Sequence, residues 1–94
     1  MKEKRFANVW DAIEPSSAEA AGMKARSELM LAIRRVVEGW HSTQAEAAKR
    51  LCVTQPRLND LLRGRINKFS LDALVDLAGR TGHSVRMTIA RRAA

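Results

Sequence analysis

The sequence predicts a mainly α fold of four to five helices with a short C-terminal β-strand, and three observations carry that expectation. Apolar residues recur at three- and four-residue spacing through most of residues 16–82, as amphipathic helices require. Thr43, Thr54 and Ser70 each stand just ahead of such a run, where a hydroxyl oxygen can accept a bond from a free N–H of the first turn. Past Gly82 the spacing changes to two, with Val85, Met87 and Ile89 alternating with Arg86 and Thr88.

At 94 residues and 10.5 kDa the chain is sized for one small domain with flanks. It divides into an N-terminal arm (1–15), a helical domain (16–82) and a C-terminal strand with a basic tail (83–94). In the arm, Phe6, Val9, Trp10 and Ile13 have helical spacing, but the segment is short and ends at Pro15. Phe6 and Trp10 are costly to leave in water on so small a domain. They are therefore candidate contacts for a protein partner, or a flap over the chain's own core.

Ser16-Ser17-Ala18-Glu19 has the pattern of a capping box and opens a long helix. Ala25, Leu29, Ile33, Val36 and Trp40 form its expected core stripe, Arg26 and Arg34 point elsewhere, and Gly39 is placed to end it. Thr43 opens a second, short helix to about residue 50, with Ala45, Ala47, Ala48 and Leu51 available to bury. Leu51-Cys52-Val53 is a turn. Thr54 then opens a third helix, which tolerates Pro56 because its first turn needs no intrahelical donor. Leu58, Leu61 and Leu62 face inward there, Gln55, Arg57, Asn59 and Asp60 face out, and Gly64 closes the element. Ser70 opens a fourth helix with Leu71, Leu74, Val75 and Ala78 inward. The alternation that follows needs an edge to pair with, either residues 6–13 or the same strand of a second chain.

Seventeen Lys and Arg against ten Asp and Glu leave a charge of +7 and a pI near 10.8, which favours a polyanionic partner. The first 40 residues are almost neutral, with seven bases and six acids, so the excess belongs to residues 41–94. Six bases fall within residues 49–68, interrupted by a single acid, Asp60. A lone Cys52 cannot form an internal disulfide, and His41 and His83 lie too far from other ligands to suggest a metal; no cofactor is expected. There is no P-loop or nucleophile-elbow pattern, so an enzyme is not expected. No apolar run approaches the roughly 20 residues of a membrane span, which leads us to expect a soluble, cytoplasmic protein.

Residues 43–64 place helix, tight turn and helix at the spacing of a DNA-reading helix-turn-helix. Steeply crossing helices need small side chains where they touch, supplied by Ala47 and Ala48, and apolar wedges, supplied by Leu51, Val53 and Leu58. The second helix can then enter the major groove with its N-terminal polar residues against base edges.

On these residues the chain resembles the Cro/repressor-type, or XRE, family of helix-turn-helix proteins over about residues 28–78. Three stretches extend the likeness to nearly the whole chain: Met23-Lys24-Ala25-Arg26-Ser27-Glu28-Leu29-Met30, the pair Thr43-Gln44 with Thr54-Gln55-Pro56-Arg57, and Lys68-Phe69-Ser70-Leu71-Asp72-Ala73-Leu74. They make it similar to the small HigA-like antitoxins. That resemblance implies a homodimer that represses its own operon and neutralises a co-encoded toxin, typically an mRNA-cleaving ribonuclease. A stand-alone phage-type regulator without a toxin is the alternative that the same motif allows.

The resemblance also implies roles. Gln44 donates to a phosphate and braces the recognition helix, Gln55 reads a base, and Arg57 pairs with guanine or holds a phosphate. Thr54, Asn59, Arg63, Arg65 and Lys68 contact the backbone of double-stranded operator DNA. One small module rarely binds DNA tightly by itself, whereas two half-sites about one helical turn apart do, so a two-fold dimer is expected, with Val85, Met87 and Ile89 at its interface. Cys52 stands where many members have glycine, so a left-handed backbone there costs on the order of 1 kcal/mol. Pro56 removes a backbone donor near the phosphates.

Overall fold

The computed structural model describes residues 17–91; the N-terminal arm with Phe6 and Trp10, the cap expected at Ser16, and residues 92–94 lie outside the described residues. Four α-helices follow in order, α1 (Ser17–Gly39), α2 (Gln44–Leu51), α3 (Gln55–Leu62) and α4 (Leu71–Arg80), with a 3-10 turn at Ile66–Lys68 between the last two. All three expected caps are made. Thr43 and Glu46 form a capping box: the Thr43 hydroxyl accepts from Glu46 N at 3.1 Å, and the Glu46 carboxylate accepts from Thr43 N at 3.0 Å. Thr54 accepts from Arg57 N at 3.2 Å and Ser70 from Ala73 N at 3.1 Å. Each such cap contributes about 1 kcal/mol to helices too short to persist alone.

The core joins every helix. Met30, Ile33 and Val37 come from α1, Ala47, Ala48 and Leu51 from α2, Leu58 and Leu61 from α3, and Leu74, Leu77 and Ala78 from α4. Phe69, in the connection before α4, is the largest fully buried side chain; periodicity could not assign it because it sits outside any helix. Truncating one of these buried leucines to alanine typically costs 2 to 5 kcal/mol.

Two stripes differ from expectation. On α1 the buried line is Met30, Ile33 and Val37, while Ala25 is exposed and Leu29, Val36 and Trp40 are only half-buried. This rotation turns Arg26 and Arg34 partly inward. On α4, Leu77 is buried and Val75 is exposed. Both helices carry apolar residues on more than one line, and the neighbouring helix decides which line is covered.

The expected C-terminal strand does not form: there is no strand among the described residues. Val85 packs half-buried against the core, but Met87 and Ile89 are exposed, Ile89 completely. Alternation marks a segment able to become a strand, yet a ladder needs a second backbone beside it, and the described residues of one chain provide none.

The turn between α2 and α3 is tight. Cys52 takes the left-handed conformation (φ 58°, ψ 42°), its N–H bonds Lys49 O at 3.1 Å, and the Val53 N–H bonds Ala48 O at 3.0 Å, the paired bonds of a Schellman ending. The Cβ of Cys52 is therefore a standing strain. Cys52→Gly should raise the unfolding free energy by about 1 kcal/mol in urea denaturation; unchanged or lower stability would show that the thiol contributes packing that offsets the strain.

Candidate nucleic-acid interface

The two helices of the motif pack against each other, with Ala47, Ala48, Leu51 and Leu58 buried in the core shared with α1 and α4. An additional clasp comes from α4. Arg80 Nη1 donates to Leu51 O at 3.0 Å and to Cys52 O at 3.1 Å, while its Nη2 pairs with Asp76 at 2.9 Å. Arg80 thus caps the carbonyl end of α2 and holds the turn from outside the motif. No local spacing rule connects residues 28 and 29 positions apart, so sequence reasoning missed it.

The exit of α3 is shaped by Gly64, whose φ of +70° suits glycine. A Cβ there would stand 3.1 Å from Arg34 Nη1, so the glycine also makes room for that guanidinium. Arg34 Nε is buried without a hydrogen-bond partner. Beyond Gly64 the chain turns through the 3-10 segment and closes at Phe69, whose carbonyl accepts from Arg26 Nη1 at 3.5 Å.

The expected DNA contacts are arranged as follows. Gln44 and Gln55 are each the first residue of their helix, and both are exposed. A helix N-terminus favours an anion, because its free N–H groups and the positive end of its dipole point there. The Thr54 hydroxyl oxygen is occupied as a cap, and its O–H remains able to donate. Asn59 is half-buried and Arg63 exposed; together with Pro56 and Asp60 they lie on the side of α3 turned away from Leu58 and Leu61. Lys68 is exposed in the connecting turn.

Two of the expected contact residues are engaged within the chain. Arg65 Nη1 pairs with Asp60 at 2.9 Å. Arg57 Nη1 donates to Lys68 O at 2.7 Å, and its guanidinium carbon lies 4.0 Å from the centre of the Phe69 ring. Asp60, the lone acid among the bases, is therefore not an uncompensated charge on the basic face. Elsewhere Arg50 stacks over Trp40 at 3.9 Å. No group of three or more potential metal ligands occurs among the described residues, and none of their helices is long and apolar enough to cross a membrane.

With α2, the turn and α3 in this arrangement, comparison with protein families finds a helix-turn-helix domain family matching residues 12–90. The chain belongs to that helix-turn-helix domain family. The match supports a Cro/repressor-type, XRE-like assignment and with it a DNA-binding regulator. Comparison with curated proteins finds no match. In this helix-turn-helix domain α2 and α3 are the two helices of the motif, joined by the Cys52 turn, with the Arg80 clasp on the carbonyl end of α2.

Arg80→Ala should lower stability by about 1 to 2 kcal/mol, since it frees two carbonyls at the end of α2. A denaturation midpoint equal to that of the wild type would contradict the clasp.

Proposed function

We propose that this helix-turn-helix protein is the antitoxin of a type II toxin–antitoxin pair, a homodimeric repressor that binds a palindromic operator and neutralises a co-encoded ribonuclease toxin. The observation that carries the DNA-reading part is Gln55, exposed at the first position of α3 with Arg63 and Lys68 exposed beyond it. A glutamine amide at that place can pair bidentately with adenine, worth roughly 1 to 3 kcal/mol of discrimination against a wrong base. Gln44, Thr54, Asn59, Arg63 and Lys68 then fix the register on the phosphates.

The antitoxin part rests on the resemblance to HigA-like antitoxins and on material beyond a bare DNA-reading module. The long α1 and residues 85–89 border an apolar groove lined by Ala25, Leu29, Leu71 and Val85, which Met87 and Ile89 extend. Met87 and Ile89 are exposed large apolar side chains, suited to the surface where a second copy joins. Phe6 and Trp10 are assigned to the toxin.

Gln55→Ala should relax base preference at one position per half-site in a binding selection from random duplexes; equal weakening on every sequence would count against base reading. Neutralising Arg63 or Lys68 should reduce the slope of log K against log salt by about one unit, and an unchanged slope would remove that residue from the phosphate contacts. For the pairing with a toxin, the adjacent reading frame should be lethal when expressed alone and harmless with this chain. A harmless neighbour would leave a stand-alone regulator.

A further inference from the structure

Arg57 lies on the recognition helix, where an arginine that reaches a base edge or a phosphate would have to be free. It is not free. Arg57 is half-buried as a residue; its guanidinium donates to Lys68 O at 2.7 Å, in an exposed hydrogen bond, and lies over the ring of Phe69, itself only 2% exposed. Its backbone N–H is taken by the Thr54 cap. Swinging the guanidinium out of this place to pair bidentately with a base edge would mean giving up a charge-assisted hydrogen bond and a ring contact together, and would leave the Lys68 carbonyl without the donor it has here.

The carbonyl that Arg57 holds belongs to Lys68, an exposed lysine of the connecting turn. Lys68 is the last residue of the 3-10 turn, and Phe69 behind it is anchored in the core and held a second time at its carbonyl by Arg26. We propose that Arg57 is a positioning residue for DNA binding: it latches α3 to the connecting turn so that the backbone carrying Lys68 is held in place for a phosphate contact, and it reads no base. A planar guanidinium suits the task, since it stacks on a ring face and donates in its own plane, which an ammonium cannot do. The latch rests on the DNA-binding reading above. It goes beyond that reading by separating two arginine roles that the sequence leaves open.

The test uses the full chain and the duplex enriched by the wild type. In a double-mutant cycle, Arg57→Gln weakens binding about tenfold in the wild type but less than twofold when Lys68 is already alanine, because the latch acts through Lys68. Base preference in a binding selection stays that of the wild type, and Arg57→Lys fails to restore affinity. Equal losses in both backgrounds, a relaxed base position, or full rescue by lysine would each overturn the proposal.

A measurement on the unmutated protein guards against variants that misfold. The Arg57 side-chain NMR signals should be displaced by the Phe69 ring current in the free protein and remain so in the DNA complex; loss of that displacement on binding would show that the arginine leaves its latch. A wild type that enriches no duplex would instead refute the DNA-binding reading itself.

Discussion

Two eight-residue helices cannot stand alone in water, and the DNA-reading unit of this protein consists of two such helices. Everything else in the chain follows from that constraint. The motif is stable only because Leu51 and Leu58 are fully buried against α1 and α4, and because small residues let α2 approach its neighbours closely. Burial of each large apolar side chain contributes about 1.5 to 3 kcal/mol, more than any single cap or clasp on the surface. The caps and clasps have a different task, which is to fix the angle and ends of helices that the core only holds together.

Three arginines show how that fixing is done. Arg80 holds the carbonyl end of α2 from α4, Arg57 joins the start of α3 to the connecting turn, and Arg26 reaches from α1 to the carbonyl of Phe69. Each ends on a main-chain carbonyl outside its own helix. The charge excess is therefore divided. One part is built into the scaffold, and another, with Arg63 and Lys68, stays exposed for a polyanion.

The features legible in the sequence are those that depend on near neighbours in the chain. Thr43, Thr54 and Ser70 accept from N–H groups three residues downstream, a turn at residues 51–53 follows from the spacing between two capped helices, and its left-handed residue at Cys52 was implied by the family resemblance. The stripe on α1 was harder, because Leu29, Met30, Ile33, Val36 and Val37 surround much of the helix and only the packing of α4 and α3 chooses among them. Residues 85–89 differ from the strand expected there for a related reason: alternation describes one backbone, and a strand is a relation between two. In the candidate site, the exposed positions of Gln44 and Gln55 were legible from the caps that precede them. The pairings Arg65 with Asp60 and Arg57 with Lys68 were not, since they join residues across the end of a helix, beyond the reach of three- and four-residue rules.

In the proposed reading, α3 reads sequence in double-stranded DNA as half of a symmetric pair. The most direct measurement is a binding selection with the wild-type chain on random duplexes, repeated at two salt concentrations. The expected result is one enriched motif made of two inverted half-sites about one helical turn apart, with overall affinity falling as salt rises while the motif stays the same. Enrichment without a motif, or a motif without two-fold symmetry, would contradict it.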